Sequence, residues 1–103
     1  MRTKSKFVLK EINLPLYFIV DNEKVTAHTP ALDLATCGKD LDEAKKKFDE
    51  LVVIFFKELC EMGTTEEVLL ECGWKKVSTK PASWEPPRII GQITEGYKVP
   101  YPA

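Results

Sequence analysis

The N-terminal third of the chain has two patterns of apolar residues that are typical of β-strands. Residues 25–29 alternate strictly, as in a strand with one buried face. Residues 16–20 are apolar throughout, which predicts a strand covered on both faces. The turn-forming residues 21–24 join the two into a hairpin. A short third strand over 34–37 and a candidate strand over 6–13 complete a small antiparallel sheet.

The strongest periodic signal is a helix that begins near Leu41. Asp40 and Glu43 have the spacing of a capping box, and Gly63 is suited to the left-handed position that ends a helix. Between these ends, apolar residues recur at three- and four-residue intervals and so form one stripe that faces the sheet. The stripe consists of Leu41, Ala44, Phe48, Leu51, Val52, Phe55, Leu59 and Met62.

A second apolar row runs beside this stripe, at Val53, Phe56 and Cys60. The combined apolar arc is wider than one sheet face can cover. Either the rest of the same chain or a second subunit covers the remaining apolar surface of the helix. Burial by a second subunit predicts a homodimer or larger homo-oligomer, in which these three residues bind the partner.

A shorter helix follows Gly63. Thr64 and Glu67 have the spacing of another capping box, and Gly73 ends this helix. Residues 74–79 can then return as a fourth strand. The predicted fold is α+β, a small antiparallel sheet of three to four strands packed by one long and one short helix.

Five of the seven prolines lie in residues 81–103, which excludes a helix or an inner strand there. We therefore divide the chain into a domain over 1–80 and a proline-rich arm or tail over 81–103. Part of the arm is suited to docking on a neighbouring protein in an extended conformation. The docking residues are Trp84, Arg88, Ile89 and Ile90.

The composition is that of one ordinary globular domain, with 103 residues, 44% of them hydrophobic and 30% charged. The longest apolar run, residues 51–56, is too short to span a bilayer, and the N-terminus lacks a signal-peptide core. We expect a cytoplasmic protein without a membrane anchor. The three cysteines include no C-x-x-C pair and are expected to be buried free thiols.

Charge is distributed unevenly although the formal net charge is only −1. Residues 31–72 hold five basic and eleven acidic side chains, for a net charge of −6, and both flanking segments are mildly basic. This asymmetry favours a basic protein partner or self-association through opposite patches.

The titratable residues form no recognisable catalytic pattern. His28 is the single histidine and is expected on the surface of its strand, and the cysteine spacings match no zinc motif. Asp21 and Asp33 are explained as turn residues, although a vestigial metal-dependent hydrolase would use them. We therefore expect no enzymatic activity, no metal and no cofactor.

The alternative to a protein-binding function is a nucleic-acid-binding module. The C-terminal segment interleaves aromatic and basic side chains, as sites for single-stranded nucleic acid do. The residues concerned are Trp74, Lys75, Lys76, Trp84 and Arg88.

The segment from Pro30 to Ala44, PALDLATCGKDLDEA, leads into the long helix and residues 58–69, ELCEMGTTEEVL. This succession resembles the HicB-like antitoxin family, which has an apolar hairpin, a P-x-L-D-L-x-x-x-G-x-T/D-x-E/D-E-A segment and an amphipathic helix. The likeness spans residues 14–76.

The resemblance implies a reduced ribonuclease-H-like fold without its catalytic carboxylates. It also implies an oligomeric, non-enzymatic protein that neutralises a small basic toxin that cleaves messenger RNA. Members often repress their own operon through an attached C-terminal DNA-binding domain. The residues after Gly73 have neither a helix-turn-helix nor a ribbon-helix-helix signature, so the resemblance does not extend to DNA binding, and it supplies no catalytic residue.

Overall fold

The structure is a computed structural model that describes residues 10–79 and 82–103. The elements are β1 (Tyr17–Asp21), β2 (Lys24–Thr29), β3 (Leu34–Gly38), α1 (Leu41–Met62), α2 (Thr65–Glu71), β4 (Lys75–Thr79) and β5 (Ala82–Glu85). The first three strands form an antiparallel sheet in the order β1-β2-β3, and β4 pairs with β5 in a separate two-stranded sheet. The predicted α+β fold, with one long and one short helix against a three-stranded sheet, is confirmed.

The hairpin between β1 and β2 is closed by a two-residue turn. Asp21 pairs with Lys24, and the intervening Asn22 and Glu23 both have positive φ, at 50° and 64°. Positive φ at both central positions is typical of a type I′ turn, whose twist matches that of the flanking strands. The predicted hairpin is therefore present, with strand bounds shifted by one residue.

The prediction that residues 16–20 are covered on both faces is wrong. β1 is an edge strand, and of residues 16–20 only Leu16 and Phe18 pack against the core between sheet and helix. Tyr17 and Ile19 point to the other face and are 44% and 51% exposed. An apolar run predicts a strand but cannot show whether a second layer of structure covers its outer face.

The candidate strand over 6–13 is not formed in the part that the structure describes. Residues 10–13 adopt neither helix nor strand, and residues 6–9 lie outside the described residues. Ile12 and Leu14 still pack against the core, so the apolar positions of this segment are used for burial without sheet pairing.

The bounds of α1 follow from its caps. The Asp40 carboxylate accepts a hydrogen bond from the Glu43 amide at 2.8 Å. The Glu43 carboxylate accepts one from the Lys39 amide at 2.6 Å, so the box closes one residue before the cap itself. Gly63, with φ 70°, ends the helix as predicted, and the Gly63 and Thr64 amides donate to carbonyls of the last turn in the Schellman pattern.

The start of α1 lies directly against the end of β3. A side chain at Gly38 would place its Cβ 2.7 Å from the Ala44 amide nitrogen, a distance that real Cβ atoms do not reach. Glycine at this position therefore allows helix and sheet to approach. Ala44, which is fully buried, has the small side chain that the same approach requires.

The apolar stripe of α1 is buried only in its middle. Leu41 and Met62, in the first and last turns, are 51% and 67% exposed, contrary to the prediction that the whole stripe faces the sheet. A helix of 22 residues is about 33 Å long, whereas strands of five or six residues span about 17–20 Å. The helix is longer than the sheet that it packs on.

The start of α2 differs from the prediction. Thr64 makes no side-chain capping bond, its φ of −115° and ψ of 13° are not those of a capping residue, and its hydroxyl is buried with no hydrogen-bond partner among the described residues. The predicted end is confirmed, because Gly73 has φ 89° and the Gly73 and Trp74 amides donate to carbonyls of the last turn.

Two clusters of buried side chains form the core. The first lies between the sheet and α1 and consists of Ala27, Ala44 and Phe48. The second lies where the β2–β3 turn, α2 and the start of β4 meet, and consists of Ala31, Leu32, Leu69 and Trp74. Both clusters are contacted by Leu14 and Leu34, so they form one continuous core.

The fourth strand exists but does not join the main sheet. β4 pairs with β5, so the boundary predicted between residues 80 and 81 falls between two paired strands. Both are edge strands, the only kind that the proline content permits. Residues 86–103, here named the C-terminal arm, contain neither helix nor strand. Within the described ranges, no helix is long and apolar enough to cross a membrane.

Candidate interaction surfaces

Trp74 is a core residue and not a surface residue. Its side chain is 2% exposed, and its indole nitrogen donates a hydrogen bond of 2.9 Å to the Ala31 carbonyl in the β2–β3 turn. A buried indole cannot stack on a nucleic-acid base. The interpretation of Trp74 as a nucleic-acid contact is therefore corrected, since its ring and its donor are both used within the chain.

One of the two neighbouring lysines is paired with a carboxylate, and the other stands opposite one in the strand register. Lys76 forms an ion pair with Glu66 of α2 and lies 5.8 Å from the centre of the Trp84 ring, a cation–π contact. Lys75 stands opposite Glu85 in the β4–β5 register. The structure thus brings Lys76 and Trp84 together, but in contacts that hold the β4–β5 pair against α2. Of the five residues predicted for this site, Arg88 is exposed on the C-terminal arm.

The second apolar row of α1 divides between core and surface. Phe56 is half-buried against the second core cluster and meets Phe55 in a T-shaped contact with ring centres 5.5 Å apart. Val53 is 66% exposed, and Cys60 is exposed. For Phe56 part of the cover comes from the same chain, and its role in partner binding stays a prediction. Val53 and Cys60 remain on the surface.

The expectation of buried thiols is wrong for two of the three cysteines. Cys37 and Cys60 are exposed, and Cys72 is half-buried; all three are free. Cys37 lies on the face of the sheet that points away from α1, which explains its exposure.

The C-terminal arm exposes large apolar side chains along its length. Arg88 and Ile89 are exposed, Ile90 is 90% exposed, and Trp84, just before the arm, is half-buried against the core. Four further exposed apolar residues follow Ile90 and are not among the predicted docking residues. These are Ile93, Tyr97, Val99 and Tyr101. Their odd-numbered spacing is the signal that could have found them.

Acidic side chains cluster on the surface where α1 meets α2. No basic residue occurs between residues 58 and 74, and the acidic side chains in that range are exposed. We name this surface the acidic corner. It consists of Glu58, Glu61, Glu66, Glu67 and Glu71, of which Glu66 is paired with Lys76.

The candidate catalytic groups do not converge. The His28 imidazole lies 3.5 Å from the Asp33 carboxylate, but the Asp33 side chain is almost fully exposed. Asp21 and Asp33 lie at opposite ends of β2, too far apart to bind one metal ion. Across residues 10–79 and 82–103, no group of three or more His, Cys, Asp or Glu side chains is placed to hold a metal.

An open groove separates the start of β1 from the root of the C-terminal arm. Its volume is about 1000 Å³. One wall is formed by residues around Pro15 and Tyr17, and the other by Lys75 and residues 85–89. Of β1, only the first residue, Tyr17, lines the groove.

Comparison with known proteins assigns no family to the chain, because no family model, no curated protein and no solved structure matches it.

Proposed function

We propose that the chain is a non-enzymatic binding protein that self-associates and holds a small basic protein partner. The observation that carries this proposal is the C-terminal arm, in which exposed apolar side chains occur from residue 89 to residue 101 and contact neither core cluster of the described structure. Apolar surface of this extent is stabilised by association with another protein.

The acidic corner supports a basic partner. Its carboxylates lie on two adjoining helix ends, and Lys76 neutralises only one of them. A surface of one sign attracts a partner of the opposite sign and accelerates their encounter. The resemblance to HicB-like antitoxins supplies the partner class, a small basic toxin that cleaves messenger RNA.

The nucleic-acid alternative has less support. It requires aromatic rings that are free to stack and cations that are free to bind phosphate. Trp74 is buried, Lys76 is paired with Glu66, and Lys75 faces Glu85. We therefore retain protein binding as the proposed function.

Co-expression of the chain with the neighbouring short reading frame, followed by co-purification and calorimetry, tests the basic partner. The test variant is Glu61→Lys with Glu67→Lys, which reverses two exposed charges of the acidic corner while keeping the Glu66–Lys76 pair. We expect the dissociation constant to rise by about tenfold or more, because like charges then face each other.

The matched control is Glu11→Lys with Glu95→Lys, which makes the same change in net charge at exposed positions away from the corner. We expect the control to bind as the unmodified chain does. Failure to recover any basic protein, or equal weakening in both variants, contradicts the proposal.

A further inference from the structure

The C-terminal arm has the pattern of a strand that has no partner strand. In a β conformation, residues two apart share one face. At the odd-numbered positions from 89 to 101 five of seven residues are large and apolar, whereas the even-numbered positions between them are mostly polar, glycine or proline. The odd-numbered apolar residues are Ile89, Ile93, Tyr97, Val99 and Tyr101, all exposed.

The prolines leave one edge of this strand able to pair. Residues that share a face of a strand also direct their backbone N–H and C=O groups to the same edge. Pro100 and Pro102 are both even-numbered, so every odd-numbered residue from 89 to 101 keeps its N–H. The apolar face and the complete hydrogen-bonding edge thus belong to the same residues, as in a strand that pairs on one side only.

β1 is an apolar edge strand with a free hydrogen-bonding edge, as the arm is. It pairs with β2 on one side, and no other described strand pairs with it. Tyr17 and Ile19 are exposed on the sheet face that points away from α1, and Val20 is exposed on the other face. The opposite edge strand, β3, exposes only the smaller Ala35 and Cys37. An apolar edge strand with unpaired backbone groups is a template for an added strand.

The same chain does not bring its arm onto its own β1. The molecule is 67 Å long but only 30 by 23 Å across, and α1 accounts for only about 33 Å of that length. The arm itself is not packed on the body, since Ile90 is 90% and Tyr101 87% exposed. Ile89, at the start of the arm, nevertheless lines the same groove as Tyr17 of β1. An arm from a second copy that enters this groove would therefore lie beside the start of the first copy's own arm.

We propose that the arm of one copy adds as a parallel strand to β1 of a second copy, and that the second copy does the same in return. In parallel pairing the odd-numbered apolar residues of the arm lie on the same sheet face as Tyr17 and Ile19, while Phe18 and Val20 present the free backbone groups of β1. Residues 89–101 can span about 43 Å as a strand, whereas β1 spans roughly 17 Å. The arm is therefore long enough to pair along the whole of β1. Reciprocal exchange forms a closed two-fold dimer in which the β1 edge of each copy is paired. This inference deepens the self-association within the proposed function and does not depend on the basic partner.

Light scattering on the full chain over a concentration series tests the exchange with two matched double variants. Ile93→Lys with Tyr97→Lys places charges on the apolar face of the arm, and Gln92→Lys with Thr94→Lys places the same charges on the opposite face. We expect the unmodified chain and the second variant to be dimers. The first variant should weaken dimerisation by about tenfold or more, because the lysines would be buried without partners.

The β1 side is tested by Ile19→Lys against Ala35→Lys, which adds a lysine to the same sheet face at the other edge. We expect only Ile19→Lys to reduce dimerisation. Thermal melts verify folding. If Ile19→Lys does not fold, thiol cross-linking replaces it, in chains whose Cys37, Cys60 and Cys72 have been exchanged for Ser, Ser and Ala. Mixing an Ile93→Cys chain with a differently tagged Ile19→Cys chain should yield a cross-linked heterodimer.

The outcomes separate the two proposals. A chain that stays monomeric at high micromolar concentration overturns both the arm exchange and self-association. A dimer that responds equally to both arm variants, or a mixture that gives no cross-linked heterodimer, overturns the arm exchange and leaves self-association standing. Neither result bears on the basic partner, which the charge-reversal variants test.

Discussion

At the scale of single residues, Trp74 shows how one side chain can connect distant parts of the chain. Its ring fills the second core cluster beside Leu69 of α2, and its indole N–H satisfies the carbonyl of Ala31, a residue 43 positions earlier. The sequence predicts a binding residue at Trp74 because lysines lie next to it in the chain. The Ala31 carbonyl that accepts its hydrogen bond is distant in sequence and gives no local signal.

Replacing Trp74 with Phe should lower the free energy of unfolding by about 1–3 kcal/mol, since the buried Ala31 carbonyl loses its hydrogen bond and the core loses volume. Urea unfolding measures the change. Trp84→Phe is the matched control, because Trp84 is half-buried and its indole makes no comparable bond in the described structure; we expect a smaller loss. Equal losses in the two variants would disprove the role given to the Ala31 bond.

At the scale of elements, the two helices begin in different ways although their first residues look alike. Asp40 accepts a hydrogen bond from the Glu43 amide, whereas the Thr64 hydroxyl is buried and has no partner in the part of the chain that the structure describes. The Schellman turn at Gly63 leads straight into Thr64, so the end of α1 determines the backbone there. The start of α2 depends on that turn and not on its own cap.

Removing the Asp40 carboxylate should therefore lower the stability of the protein, whereas removing the Thr64 hydroxyl should not. Asp40→Ala should cost about 0.5–2 kcal/mol of stability through loss of the cap. Thr64→Val, which keeps the shape and removes the hydroxyl, should leave stability unchanged or slightly increased, because a buried unpaired polar group is removed. Thermal unfolding of the two variants measures both changes. A loss for Thr64→Val similar to that for Asp40→Ala would mean that Thr64 caps α2 in solution.

At the scale of the whole molecule, the chain separates charged from apolar surface. The acidic corner lies at the α1–α2 junction, and the exposed apolar residues lie on β1 and the C-terminal arm. The two proposed associations thus use different forces. Coulomb attraction between exposed charges is screened by salt, whereas apolar burial is not weakened by it and is strengthened by salts such as sulfate.

Raising the ionic strength should separate the two associations. Between about 0.05 and 0.5 M salt, we expect binding of the basic partner to weaken markedly, while the mass of the homodimer stays constant. Light scattering and calorimetry on the same samples measure both. A homodimer that dissociates in salt would indicate that charged surfaces, and not the arm and β1, hold the two copies together.

The local features of this fold could be predicted from the sequence because each depends on residues close in the chain. The Asp40 cap, the left-handed glycines at positions 63 and 73, and the turn over residues 21–24 all satisfy backbone groups within a few positions. The exposure of Val53 and Ile90 also agrees with their prediction as surface residues, although their binding role remains a prediction.

The tertiary structure alone decided which apolar residues are buried. The outer face of β1 stays open because the helices lie on one side of the sheet, Phe56 is partly covered by the second core cluster, and β4 pairs with β5 instead of extending the sheet. Burial and strand pairing depend on contacts between residues far apart in sequence, and a periodic pattern identifies an apolar face without identifying what covers it. Capping and turn formation require no such partner, so the local sequence is sufficient to predict them.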